Sequence, residues 1–432
     1  MKSVWQKEDQ RAYYPELNRD LETEVLVIGG GMAGVLCARK LQSAGKQVVL
    51  AEAKRIGGGI TARTTAVLTA QHDLLYQDMI SRFDEETARV YLHGNLNAVA
   101  EFGALSEKIP CDFEEVPSVQ FTAGDPERLR QEEKTVNRLG FPARFEEKIS
   151  LGLPARGAVV YPGMGQFHPL KFLMGAAEGL QIYEQSRVLD LKGTTAILEN
   201  GKIKARQVIV ATHFPFLNRR GLYFMKLYQS RSYVLALENA PDPGATLAEL
   251  EGQGLYFRRY GDLLLMGGGD HRTGKQGGAF EYLRRLARQC FPEAKERCAW
   301  ANQDCMSLDG LPYVGRYSPD WENVYVATGF NAWGMTNSMV AATLLTDMIA
   351  GKENPLEKIL RPDRSVMHKQ LLCNLGATAM DFLTPTTKRC PHLGCALKWN
   401  PQEHSWDCPC HGSRFAGNGK LLDTPAQKDA DV

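Results

Sequence analysis

Two groups of residues in this chain have types and spacings that could do chemistry. Near the N-terminus, the apolar run Val25 to Ile28 leads into Gly29-x-Gly31-x-x-Gly34. Four apolar residues suit a fully buried parallel strand, and the glycine spacing is that of a turn opening a helix onto a dinucleotide. Gly29 permits the tight turn, Gly31 lets backbone approach a pyrophosphate, and Gly34 seats the helix on the strand. The helix start then offers free N–H groups and a positive dipole end to the phosphates. A second apolar run, Val48 to Leu50, precedes Glu52, placed where a carboxylate takes ribose hydroxyls and repels a 2′-phosphate, which argues against NADP. The other group is C-terminal: Cys390-x-His392 and Cys408-x-x-His411, with Cys395 and Cys410 between and beside them. Of the 10 cysteines, these four crowd into residues 390–410. Dense cysteine in one short segment points to metal rather than to a secreted disulfide scaffold. Two thiolates and two imidazoles would satisfy a tetrahedral zinc ion, among other centres.

The elements that must position these groups are legible in outline. The 432 residues leave room for two or three domains, and a net charge of +1 suggests no nucleic-acid or membrane-surface partner. The first 20 residues lack a signal-peptide core and no later run is long enough to span a bilayer, so the cytoplasm is expected. Apolar periodicity predicts a long helix over 84–108, a charged surface helix over 127–138, and a helix from Phe167 to about Gly179. Residues 186–190 and 207–211 read as strands, with His213 in the loop that follows. Over 226–272 the pattern changes to period two around the PDPG turn at 241–244, predicting antiparallel strands of a second, substrate-facing sheet. Tyr228, Arg231, Tyr233, Tyr256, Arg258 and Tyr260 lie on it, either as a roof over a substrate or as ordinary sheet-surface residues.

From Lys54 to Ala66 a second glycine loop, KRIGGG, is followed by ITARTTA. With this segment the chain resembles the FAD-dependent amino acid and amine oxidase family, the superfamily of glycine oxidase and D-amino acid oxidase. The resemblance covers about residues 20–358 in separate pieces. It implies that Thr61, Arg63, Thr64 and Thr65 contact FAD, and that Val188 offers backbone groups to the adenine. It also implies that the turn and helix start at Gly329, Gly334 and Met335 face the pyrimidine end of the flavin, where a positive dipole would stabilise the anionic reduced form.

The C-terminal segment resembles the Rieske iron–sulfur motif, with Gly394 and Gly412-Ser413 matching its loops. The resemblance implies a [2Fe–2S] cluster held by Cys390, His392, Cys408 and His411, with Cys395 and Cys410 either bridged as a clamp between the loops or free. Imidazole ligands favour the reduced cluster, at roughly −150 to +300 mV, a range that accepts electrons from a reduced flavin. One departure is that residues 368–383 read as helix where Rieske domains carry strands, so the base beneath the loops is shortened.

The expected fold is α/β (α+β): a Rossmann-like FAD-binding domain over 20–105, 155–225 and 305–358, an antiparallel-sheet substrate domain over 106–154 and 226–304, and a shortened Rieske module over 361–432. The expected function is oxidation of the C–N bond of an amine or amino-acid-like substrate by hydride transfer to flavin N5, with electrons passed to the cluster and on to a one-electron acceptor protein. No general base is expected. The alternatives are an electron carrier without a substrate of its own, and a redox sensor.

Overall fold

The computed structural model describes residues 1–8, 13–217, 220–252, 254–275, 280–365 and 367–432. Among them the strands form three sheets. The first is built on Leu21–Ile28, which lies parallel between Gly201–Val210 and Val48–Ala51. Successive side chains point to opposite faces of a strand. Val25 and Val27 therefore enter one core while Leu26 and Ile28 enter another, which is why this run is apolar throughout. Val324–Thr328 and Gln181–Tyr183 extend the sheet in parallel, and Tyr313–Arg316 closes one edge antiparallel. Helices Met32–Ser43 and Gly334–Ile349 pack on one face and against each other. Gly34 makes the first of these possible, since a Cβ there would lie 1.8 Å from the Gly29 carbonyl oxygen.

The second sheet runs in the order Lys295–Ser307, Leu227–Glu238, Leu263–Arg272, Tyr256–Tyr260, Thr246–Glu249, Glu114–Thr122, Gly157–Gln166, Val67–Leu68. Its strands from 227 to 272 pair as the period-two pattern predicts, antiparallel around 241–244. Gly157–Gln166, expected with the dinucleotide-binding unit, instead pairs along Glu114–Thr122 in this second sheet. Its Ala158 and Val160 enter one core and Val159 and Tyr161 another. A strand buried on both faces carries no sequence mark of which sheet it joins. The N-terminal arm also packs on the body: Trp5 is fully buried and its indole N–H donates to the Thr64 carbonyl at 2.7 Å.

The third sheet is small and antiparallel: Lys398–Asn400, Ser405–Asp407, Arg414–Ala416, Leu421–Asp423. Helix Lys369–Leu383 precedes it. Its core holds little beyond the four clustered cysteines, Leu397, Phe415 and Ala426, so support must come from docking. Arg231 of the second sheet pairs bidentately with Glu403. Arg414 bonds Glu403, Asp407 and Asp423 at 3.1, 2.9 and 3.2 Å, and Arg63 reaches Asp423 at 3.4 Å. Lys54 Nζ donates to the Leu422 carbonyl at 2.7 Å, and Lys275 pairs with Asp381 at 3.2 Å.

Burial pushes the Glu403 and Asp423 carboxyls up, but the surrounding guanidinium groups outweigh it and hold both below the usual carboxylate range. A group with a depressed folded value adds stability above its unfolded value, near 4, and loses it as pH falls through the folded one. The lobe should therefore stay docked at neutral pH and loosen only below about pH 4, read by limited proteolysis between the lobes. Arg231→Ala leaves Glu403 buried with Arg414 as its remaining ion-pair partner and should cost about 3 kcal/mol in denaturant unfolding.

Candidate cofactor cleft and metal centre

At the carboxyl ends of the parallel strands lies a cleft lined by Gly29, Gly31, Glu52, Thr61, Val188, Gly329, Gly334 and Met335. Two helix starts face it. Gly31 caps Met32–Ser43 and Trp333 caps Gly334–Ile349, neither with a hydrogen bond from its own side chain, so both helix starts present their positive ends to the cleft. A Cβ added at Gly31 would meet nothing nearer than Thr61 Oγ1 at 3.5 Å, which marks open space above the backbone. Thr61 Oγ1 itself accepts from the Met32 N–H at 3.1 Å. The Glu52 carboxylate accepts from Gly30 N–H at 2.7 Å and Lys54 N–H at 2.8 Å; burial raises its pKa, and those two bonds oppose the rise. Open glycine backbone, two helix starts and a half-buried carboxylate fit the pyrophosphate and ribose of a dinucleotide.

Gly34 packs helix on strand, as its place in the motif implies. Arg63, Thr64 and Thr65 are not among the residues lining the cleft. The carbonyls of Arg63, Thr64 and Thr65 accept from Trp300 Nε1, Trp5 Nε1 and Arg258 Nη1 at 2.8, 2.7 and 2.6 Å, and the Arg63 side chain turns to Asp423. The short 3-10 turn Ile60–Ala62 lies between the glycine loop and these residues.

The expected ligands Cys390, His392, Cys408 and His411 come together on two matched loops. In one, Gly394 N–H donates to the Cys390 carbonyl; in the other, Gly412 N–H donates to that of Cys408, both at 2.9 Å. Both loop glycines have φ +81, a conformation other residues rarely adopt. Cys395 and Cys410 form a disulfide across the loops, with Cα atoms 6.6 Å apart. The sulfurs of Cys395, Cys408 and Cys410 lie within 4.8 Å of one another, but the bridge occupies two of them, leaving Cys408 with Cys390 as thiolate ligands. The His392 and His411 rings are 4.9 Å apart. Burial pushes their pKa values down to about 4 and about 3, which keeps both neutral as ligands must be. His411 Nδ1 is buried with no hydrogen-bond partner, an atom left open for a metal. Two sulfurs and two nitrogens in this arrangement fit a [2Fe–2S] group.

The centre is fastened to the cleft. Gln229 Nε2 donates to the His411 carbonyl and Gln303 Nε2 to the Gly412 carbonyl, each at 3.0 Å, and both glutamines line the cleft. Arg272 holds the Pro409 and Cys410 carbonyls at 2.9 Å. Phe214 lines the cleft and stands edge-on to His392 and His411, with centroids 6.4 and 6.2 Å away. Leu422, Asp423 and Thr424 of the third sheet complete the wall. None of these was marked in the sequence, because each acts through a contact across more than a hundred residues. His213, in the same wall, is pushed down to about 4 by burial and stays neutral.

The expected Tyr/Arg roof has other work. Arg231 holds Glu403, and Arg258 donates to the carbonyls of Thr65, Ala66 and Phe167 at 2.6, 3.1 and 3.2 Å. Tyr228 lies under the Arg272 guanidinium, Tyr233 stacks on His271, Tyr256 bonds Ser232 and Tyr260 bonds Glu8. Period two put them on a sheet but could not say which contacts compete for them.

The fold and the two sites define a flavin-dependent oxidoreductase that carries an iron–sulfur module. Residues 24–348 match the FAD dependent oxidoreductase family (DAO), to which the chain belongs, and residues 378–432 match the Rieske [2Fe-2S] domain. Its cofactors are FAD and a [2Fe–2S] cluster. YhfW of Bacillus subtilis, named as a Rieske 2Fe-2S iron-sulfur protein, is 33% identical over 99% of this chain and 96% of its own length. Gamma-glutamylputrescine oxidoreductase of Escherichia coli is 24% identical over 79% of this chain and 86% of its own. Glycine oxidase from Geobacillus kaustophilus shares the fold at TM-score 0.67 and 20% identity, over 80% of this chain and all of its own. Among the described residues no helix is long and apolar enough to cross a membrane.

Cys408→Ser should remove cluster absorbance and leave FAD bound, because the cleft's strands and helices close without that ligand; the measure is iron and flavin content of purified protein. Glu52→Ala removes the acceptor of two backbone N–H groups and the ribose partner, and should weaken FAD retention about tenfold or more, measured by equilibrium dialysis.

Proposed function

We propose that the chain oxidises the C–N bond of an amine or amino-acid-like substrate and passes the electrons through the cluster to a one-electron acceptor protein. Bound FAD supplies a hydride acceptor for the carbon bearing the nitrogen, and the [2Fe–2S] group supplies one-electron storage. The protein's own part is positional. Glu52 and the Gly29–Gly31 turn orient the dinucleotide, the Gly334 helix start offers positive potential at the far end of the cleft, and Thr61 fixes the first turn of the dinucleotide helix. A neutral amine gives up hydride without a general base, leaving an iminium that water hydrolyses to a carbonyl compound and an ammonium or amine.

The observation that carries the relay is Phe214, which lines the cleft and stands edge-on to both cluster imidazoles. The glutamine bonds to the His411 and Gly412 carbonyls support it, since they fix the cluster loop to the cleft wall without a flexible tether. A fixed distance makes the second transfer intramolecular and independent of partner concentration. The name of gamma-glutamylputrescine oxidoreductase supports an amine substrate.

Anaerobic mixing with a panel of amino acids, N-methyl amino acids and amines tests the reading, followed by flavin absorbance and frozen-sample EPR. The expected sequence is flavin bleaching and then the signal of the reduced cluster. A cluster that stays oxidised beside a bleached flavin removes the relay; a flavin bleached by no member of the panel removes the amine reaction.

A further inference from the structure

Helix Lys369–Leu383 is turned inside out. Asn374 and Asp381 lie two turns apart on one helix face and are 3% and 4% exposed. Asn374 Oδ1 accepts from Arg272 Nη1 at 2.7 Å, and Asp381 pairs with Lys275 at 3.2 Å. The opposite face is apolar and turned to solvent. Leu372, Gly376, Met380 and Leu383 follow one another at helical spacing, with Leu375, Ala379 and Phe382 in the adjoining row. Leu372, Met380 and Leu383 are 72%, 72% and 78% exposed, and Leu375 and Phe382 are exposed beside them. A contiguous apolar patch of this kind marks a surface that another molecule covers.

What covers it follows from where it lies and from the charges around it. The helix ends against the first cluster loop. Ala396 N–H donates to the Asp381 carbonyl at 3.1 Å, and Arg389 Nη1 donates to the carbonyls of Phe382 and Gly394 at 2.8 and 3.1 Å. A Cβ added at Gly394 would lie 3.4 Å from the Phe382 ring, and Leu393 on the same loop is exposed. Of the four cluster ligands, Cys390, Cys408 and His411 are buried and His392 alone is partly exposed. The apolar face therefore runs up to the ligand that reaches the surface.

The rim is cationic. Residues 369–400 carry Lys369, Lys388, Arg389 and Lys398 and a single carboxylate, Asp381, which is buried and paired. Lys388 lies over the Trp406 ring and Arg389 holds backbone carbonyls, contacts that leave both charges in place. A second copy of this chain would meet the same cations across a two-fold axis, with no free carboxylate on the patch to offset them. An acidic partner meets no such repulsion.

We propose that the outward face of Lys369–Leu383, with Leu393, docks the one-electron acceptor, a protein whose contact surface is apolar and ringed by carboxylates. This rests on the electron relay proposed above and gives it an exit. In each encounter one electron leaves the reduced cluster, which returns to its oxidised form, and reduces one acceptor centre. Opposite charge steers the encounter, and apolar contact seats it.

The test is stopped-flow oxidation of the anaerobic holoenzyme, reduced with dithionite and freed of the excess, so that no amine substrate is involved. Cluster absorbance is followed with plastocyanin, an acidic copper protein, with cytochrome c, a basic haem protein, and with p-benzoquinone, a small neutral oxidant. Plastocyanin should react with a second-order rate constant at least about tenfold that of cytochrome c, and added salt should shrink the advantage. Leu383→Glu should lower the plastocyanin rate constant about tenfold and Lys369→Glu about threefold. Iron content, flavin content and the rate with p-benzoquinone should stay those of the parent protein. A cytochrome c rate equal to or above that of plastocyanin, or a plastocyanin rate unaltered in both variants, overturns the docking surface and leaves the relay standing. A cluster that none of the three oxidises overturns the onward transfer as well. A dimer in sedimentation that Leu383→Glu dissociates gives the face to a second copy. Flotation with phosphatidylglycerol vesicles that Leu383→Glu abolishes gives it to a lipid surface. Either result overturns the proposal.

Discussion

A chain of guanidinium and carboxylate groups buried between the body and the C-terminal lobe is the constraint on which the rest depends. Arg231, Glu403, Arg414, Asp423 and Arg63 alternate in sign, and each carboxylate is shared by two cations. Burying one ion pair often gains nothing, because desolvation consumes the Coulomb attraction. A network in which each carboxylate is shared by two guanidinium groups escapes that limit, and here it joins pieces that do not cohere alone. The third sheet has a core of seven buried residues, four of them cysteines reserved for the centre. It keeps its shape because charges from the second sheet and from the flavin-side loop hold it.

That dependence explains how the cluster loops are held. The second joins the paired strands Ser405–Asp407 and Arg414–Ala416, the first is closed by the single bridge Arg389–Ala396, helix Lys369–Leu383 precedes both, and the body supplies further support. Arg272 and the Gln229–Gln303 pair bind backbone carbonyls of the second cluster loop. Backbone contacts fix position without constraining side chains that must ligate metal. The same contacts make the lobe part of the cofactor cleft, whose wall includes Leu422, Asp423 and Thr424. Support for one cofactor is thus enclosure for the other.

The second sheet serves both. Along Lys295–Ser307, side chains alternate, so Gln303 donates to the Gly412 carbonyl of the cluster loop while Asn302 and Asp304 bond each other at 3.0 Å. Tyrosines and arginines that a substrate roof would use are drawn into packing and into the lobe interface.

The residues that could be read directly from the chain were those whose role is local. Gly29, Gly31 and Gly34 define a strand–turn–helix whose geometry is set within ten residues, and Cys390/His392 and Cys408/His411 each sit in one tight loop. The helices over 85–106 and 127–138 and the strands around 241–244 were equally visible, because periodicity reports which face is buried. Tertiary structure alone decided what those faces meet. Arg231 and Arg258 look alike on a strand, and only the approach of Glu403 and of three carbonyls separates their roles. For Arg63 to Thr65, only the fold shows that their carbonyls meet Trp300, Trp5 and Arg258 and that the Arg63 side chain meets Asp423. Short-range sterics and hydrogen bonding fix the first kind of feature; the second arises from long-range packing, where one side chain has several possible partners and the whole fold selects among them.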